Sequence, residues 1–184
     1  KRSIIRMYRK GLSWPEPKKS KKIITLKDCI DHLPSLESGQ DSGIKYHYAK
    51  KHNERDVHAL MHTGEGQSAL LNEVHYPKRA DGKRISGFHN TYKRMSWNEP
   101  AKARTTNCGN IGSHNNVHPG KKLKNGTYSD ARVLTLLETF IVSSIPQNIN
   151  LPEWASDAFI RKMIGEAIPP LMCKKILETI GTKS

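Results

Sequence analysis

The excess positive charge of this chain lies entirely before Tyr128, and that asymmetry limits how the chain can fold. There are 31 Lys and Arg against 17 Asp and Glu, a formal charge of +14. From Tyr128 onward the signs cancel: Arg132, Arg161, Lys162, Lys174, Lys175 and Lys183 face Asp130, Glu138, Glu153, Asp157, Glu166 and Glu178. A basic part followed by a neutral, more apolar part fits a polyanion-binding region joined to a packing region. A merely solvated basic surface is the bland alternative. Hydrophobic residues make up 35% of the chain, low for a self-sufficient globule. Either the core is small or some apolar surface is meant for a partner.

The local pattern divides the same way. Ser3–Tyr8 is β-prone and reads as one strand, and the Pro/Lys-rich stretch from Trp14 to Lys22 reads as a linker. Thr25 and Asp28 form a capping-box pattern opening a helix before Pro34, and Asn53 can cap another that reaches His62. From Gly64 to Gly126 no helical period persists. Gly, Asn and basic residues punctuate short β-like pieces such as Glu73–Tyr76 and Gly87–Met95, which favours an irregular, loop-rich β domain. Then Thr135 and Glu138 form a second capping box, ahead of Leu134, Leu137, Ile141 and Ile145 at helical spacing. Ser156 can cap a helix carrying Phe159, Ile160 and Met163. Pro169 and Pro170 suit the first turn of a last helix that Gly181 can end.

The three cysteines, Cys29, Cys108 and Cys173, are scattered and odd in number. They suggest no disulfide framework and fit a reducing, cytoplasmic setting. Cys29 and Cys173 fall in expected helices among apolar neighbours, as inert thiols do, whereas Cys108 falls in an exposed-looking loop. No apolar run reaches the length of a membrane span. The chain begins at Lys1 rather than Met, which fits a processed chain or a piece of a longer polypeptide.

Two segments carry the clearest signature: Arg132-Val133-Leu134-Thr135 with Glu138, and Ile164-Gly165-Glu166-Ala167-Ile168-Pro169-Pro170. Together they resemble the last two motifs of the DNA (cytosine-5) methyltransferases, R-x-L-T-x-x-E and I-G-N-A-V-P-P. The likeness continues upstream in the same order. Lys1–Arg6 is similar to the end of the Q-x-R-x-R motif, with Arg2 at the second arginine, which in that family approaches the target cytosine. Tyr92–Ala101 resembles Y-R-R-L-S-W-D-x-P-A, and Val117-His118-Pro119 resembles I-H-P. After Ala101 the family usually has P-T-I-T-T. Lys102–Asn107 keeps only its threonines, Thr105 and Thr106. Glu166 stands where the family has Asn, and a carboxylate accepts hydrogen bonds where an amide also donates.

The resemblance implies an α+β fold in three parts. Residues 1–19 would be the edge of the catalytic domain, 20–128 a small, irregular, loop-rich β recognition domain, and 129–184 the closing motifs and C-terminal helices that complete a Rossmann-like methyltransferase domain. It implies duplex DNA as partner, S-adenosylmethionine as cofactor, and a flipped cytosine as target, in the setting of restriction–modification. The family attacks cytosine with the thiolate of a Pro-Cys dipeptide, aided by the Glu of an E-N-V triplet, and holds its cofactor with a Gly-rich loop. This sequence has none of the three. The expectation is therefore a C-terminal fragment or subunit, inactive alone, whose N-terminal catalytic half binds most of the cofactor. Glu166, Ala167 and Ile168 are the candidate cofactor contacts here.

Arg79, Lys83, Arg84, Lys93 and Arg94 are candidate contacts to phosphate or guanine, and Asn107 and Asn110 candidate readers of adenine. Arg104, Thr105 and Thr106 join them by position. Metal binding is the competing chemistry: Cys108, His114 and His118 are spaced C-x5-H-x3-H, and His58 and His62 lie four apart. A structural zinc site usually has four ligands with a close Cys pair. No C-x2-C exists, so no metal is assigned. A non-catalytic DNA-binding module is the alternative function. A general RNA binder accounts for the charge but not for the ordered motifs.

Overall fold

The structure is a computed structural model and describes residues 4–180. Five short helices punctuate long irregular stretches. α1 (Leu26–Ile30) and α3 (Leu136–Val142) start at the expected capping boxes. In each, the Thr25 or Thr135 hydroxyl accepts from the N3 amide while the N3 carboxylate accepts from the cap amide. α2 (Glu54–Met61) begins at Asn53, and α4 (Asp157–Glu166) at Ser156, whose hydroxyl accepts from the Phe159 amide. α5 (Pro170–Leu177) has Pro in its first turn. One turn of 3-10 helix, Ala69–Leu71, had no sequence signal.

The expected α+β architecture is not found. Among the described residues there is no β-strand and no sheet, so neither a β recognition domain nor a Rossmann-like arrangement is present. Pairing is limited to isolated bridges, including Ser68↔Lys93, Thr91↔His114, Arg94↔Val117 and Val117↔Val133. The reason is local. Tyr92, Asn115 and Asp130 take positive φ values of 49°, 48° and 51°, so the extended segments turn away after one or two pairings. Residues 4–8 also form no strand; Ser3 lies outside the described residues.

The interior lies around the neutral region. Every residue from Ser129 to Phe140 is buried. Leu134 packs with Leu26, Ile30 and Met95, while Leu136 and Phe140 pack with Ile160 and Ile164. A third cluster joins Ala59 and Leu60 of α2 to Ile111, Val117 and Val133. The His47 ring is held between the Pro34 carbonyl, 2.9 Å away, and the Thr135 hydroxyl, 3.0 Å away. Nε2 donates to that carbonyl, and in the neutral ring Nδ1 then accepts from the Thr135 hydroxyl. Residues before and after position 128 thus share their cores.

Candidate functional site

At the centre lies a buried ionic hub built by the Arg132–Glu138 motif. The Arg132 guanidinium is fully buried and grips Glu138 bidentately, Nη1 to Oε2 at 2.8 Å and Nη2 to Oε1 at 3.0 Å. Nη2 also reaches Asp130 at 2.8 Å, and Nε donates to the Leu36 carbonyl at 2.7 Å. Asp130 accepts from the Ser35 hydroxyl, the Leu36 amide and the Ser129 hydroxyl as well. Fork-to-carboxylate pairing, with further donors from Ser35, Leu36 and Ser129 on Asp130 and from the Thr135 amide on Glu138, is what makes such burial tolerable.

His118 completes the hub. Its Nδ1 accepts from the Gly120 amide at 3.1 Å, so its proton sits on Nε2, 3.7 Å from Glu138. The Trp97 ring stands edge-on to it, with centroids 5.2 Å apart. Burial pushes His118 down to about 4, outweighing the attraction of Glu138, so the ring is neutral at neutral pH. Burial alone would raise Asp130. His118, Arg132 and the two serine hydroxyls overcome that and bring it to about 2. Burial likewise opposes ionisation of Glu138, but Arg132 holds its carboxyl below the ordinary range.

The closing motif docks through its glycine. A Cβ on Gly165 would lie 2.3 Å from the Thr106 amide nitrogen and 2.4 Å from the Thr105 carbonyl carbon. The C-terminal end of α4 therefore rests directly on the backbone of the 105–106 loop. One turn earlier, Arg161 is 1% exposed; its Nε bonds Asp157 at 2.8 Å and its Nη1 the Leu134 carbonyl at 2.9 Å. Cys108 is buried against the Arg161 carbonyl rather than exposed as expected. Cys29 and Cys173 are half-buried, and burial raises the Cys29 thiol.

The candidate DNA contacts divide into two groups. Arg79, Lys83, Thr106, Asn107 and Asn110 are exposed, and Lys93 and Thr105 partly so. Asn110 turns its side-chain oxygen onto the Gly112 amide at 2.8 Å. Arg84 donates to the Leu70 and Asn72 carbonyls and lies 4.4 Å from the centroid of Tyr76. Arg94 and Arg104 are interior residues. Arg94 is 0% exposed and donates to the carbonyls of Leu60, His118 and Asp130. Arg104 donates to those of Lys102 and Asn115. Burial lowers both guanidinium groups to about 10. Arg94 has no surface to offer a phosphate, and what Arg104 exposes faces a cavity lined by Ala167 and Ile168.

A bridged turn without a counterpart in the sequence reading adds cations: Lys122 and Lys124 are exposed on a turn closed by the Lys122↔Tyr128 bridge. The Asn125-Gly126 dipeptide between them and Tyr128 was its signal. Arg2 lies outside the described residues.

Ala167 and Ile168 line a cavity of about 370 Å³ with Ile4, Arg104, Ser143 and Ile164; Glu166 is exposed and not in its wall. The lining is mainly apolar and includes no carboxylate. It suits the apolar flank of an adenosyl group, but provides no acidic partner for a ribose or an amine. Cys108, His114 and His118 do not converge as a ligand set: Cys108 lies under Arg161, His118 in the ionic hub, and His114 is exposed.

No helix of the described residues is long and apolar enough to cross a membrane. The sequence is 44% identical over 180 residues to the Type II methyltransferase M1.HgaI of Avibacterium volantium, an alignment covering 98% of this chain and 50% of that protein. The chain thus spans about half the length of the curated relative it matches. The sequence model of the C-5 cytosine-specific DNA methylases matches residues 1–182. With the family model matched across residues 1–182, the chain belongs to the C-5 cytosine-specific DNA methylase family.

Proposed function

We propose that this chain is the C-terminal part of a DNA (cytosine-5-)-methyltransferase in a Type II restriction–modification system. In this reading residues 20–128 hold duplex DNA and position a flipped cytosine. Residues 1–19 and 129–184 complete the catalytic domain, and Arg2 approaches the base. A second polypeptide segment supplies the Pro-Cys nucleophile, the E-N-V glutamate and the Gly-rich loop for S-adenosylmethionine. The observation that carries the reading is the 44% identity across 98% of this chain and half of a Type II methyltransferase.

The geometry supports a division of labour. The exposed Arg79, Lys83, Lys93, Lys122 and Lys124 offer point charges to phosphates, while Thr106 and Asn107 offer uncharged donors and acceptors. Ala167 and Ile168 form one apolar wall of the cofactor site. When bound, S-adenosylmethionine supplies the methyl group; this chain shields its apolar flank from water. Ile4, Ile5, Met7, Tyr8 and Leu12 are exposed, as is most of α5, which has no buried residue. These are surfaces for the other half to cover.

The test is methyl transfer from labelled S-adenosylmethionine to cytosine-containing duplex DNA, with and without the polypeptide encoded immediately upstream. Activity only in the mixture is expected. Activity of the chain alone overturns the division of labour. Duplex binding with no activity in either arm supports a non-catalytic recognition module instead.

A further inference from the structure

Three histidines converge at a place the methyltransferase reading does not use. His58 lies on α2 and His62 is its C-cap, one turn further on. The chain then returns so that His75 meets both. The His62 and His75 rings stack, with centroids 3.6 Å apart and planes at 14°, and His58 stands edge-on to them at 4.8 and 5.1 Å. One ring nitrogen from each lies within 4.8 Å of the others. The closest pair, His58 Nε2 and His75 Nδ1, is 3.1 Å apart.

The arrangement is tied in place by a single side chain. Asn72 Nδ2 donates to the His62 carbonyl at 2.9 Å, while its Oδ1 accepts from the Val74 and His75 amides at 3.0 and 2.8 Å. One amide therefore fixes the backbone of two of the three histidines. The cluster borders an open cavity of about 400 Å³ that His58 and His75 line together with Glu54 and Tyr76.

Imidazole nitrogen is a good ligand for borderline transition metals, and bonds of about 2.0–2.1 Å in tetrahedral array set neighbouring nitrogens about 3.3 Å apart. The 3.1 Å pair is close to that edge; His62 and His75, whose planes are stacked at 14°, unstack by a ring rotation to aim both lone pairs at one ion. A shared proton explains one such contact but gives no role to the third ring.

We propose that His58, His62 and His75 form a binding site for a divalent transition-metal ion of the zinc class, with a fourth position open to water on the cavity side. The ion would clamp α2 to the segment leading into the basic turn at Lys78–Arg84. The assignment is independent of the DNA-binding reading.

The experiment is titration of the untagged, chelator-stripped chain with zinc sulfate by calorimetry, and with cobalt(II) by visible absorption. Expected are one saturable equivalent, a raised melting temperature with zinc, and ligand-field bands with cobalt. His75→Ala and His58→Gln should each weaken binding at least about tenfold and abolish the thermal shift. Exposed histidines outside the cluster provide the control: His89→Ala and His114→Ala should bind as the parent does. His58→Gln sits on an exposed helical face and serves should His75→Ala fail to fold. Absence of saturable binding, retention of full affinity in both cluster variants, or equal loss in the controls would overturn the site.

Discussion

The ionic hub and the two ends of the chain invert each other. At the hub, charges are inside: Arg132, Glu138 and Asp130 are at most 1% exposed and answer one another bond for bond. At the ends, hydrophobic side chains are outside: Ile5 is 82% exposed, Met7 86% and Ile23 68%. The end segments do touch, since the Trp14 indole donates to the Ile176 carbonyl at 2.9 Å. The contrast teaches that apolar content does not locate the folded body here. Saturated hydrogen bonding does, and in the proposed reading the exposed apolar side chains are what the other half covers.

The largest effect should come from breaking the hub. Arg132→Met leaves two carboxylates buried without their cation, and such a loss typically costs about 3–5 kcal/mol. Urea unfolding should show it; a loss below about 1 kcal/mol would mean that the hub is solvated. Next comes acid. A histidine lowered from 6.5 to about 4 in the folded state takes up its proton more readily when unfolded. Its contribution is therefore complete above pH 6.5 and is lost as pH falls to about 4, on the order of 3 kcal/mol. A further decline should follow as pH drops from 3.8 toward about 2, where Asp130 takes its proton. His118→Asn keeps an acceptor for the Gly120 amide and should make the first of these declines shallower in a pH series of melts, leaving the share of His52, which burial also lowers to about 4.

A smaller effect tests the seam between the helices and the loop. Gly165→Ala forces a methyl against backbone rather than a yielding side chain. Overpacking of this kind costs about 1–3 kcal/mol, and amide exchange should rise first in α4 and residues 105–106. The smallest belongs to the ends. Ile5→Ser or Ile23→Ser should change the stability of this chain by less than about 0.5 kcal/mol. The same changes should weaken association with the upstream polypeptide, measured by sedimentation. A large loss of stability would erase the contrast.

The helices were legible because their signals are local. Thr25, Asn53, Thr135 and Ser156 each cap where the sequence places them. The first helix stops at Ile30, short of Pro34. The β content differs because a β-prone run says that a segment is extended, not that it stays beside a neighbour. Positive φ at Tyr92, Asn115 and Asp130 decides that, and nothing in these three residue types demands it. Among the site residues, Arg79 and Arg94 look alike in the sequence, both lying in basic, polar surroundings. Their fates differ because the Leu60, His118 and Asp130 carbonyls, far off in the chain, close around Arg94 alone. The convergence of His75 on His58 and His62 was likewise invisible, since it depends on how Asn72 redirects the chain.

The partners of the ionic hub come from distant parts of the chain. Ser35 meets Asp130 across 95 residues, Leu36 meets Arg132 across 96, and His47 meets Thr135 across 88. Closing loops of that length is entropically costly before any contact forms, and folding slows as mean contact separation grows. On the ribosome, residues 26–50 must therefore wait for the stretch from Asp130 to Glu138 to emerge. Until then the Ser35 hydroxyl, the Leu36 amide and carbonyl and His47 Nδ1 lack these partners. Emergence of the 130–138 stretch, rather than of residues 26–50, sets when this molecule acquires its centre.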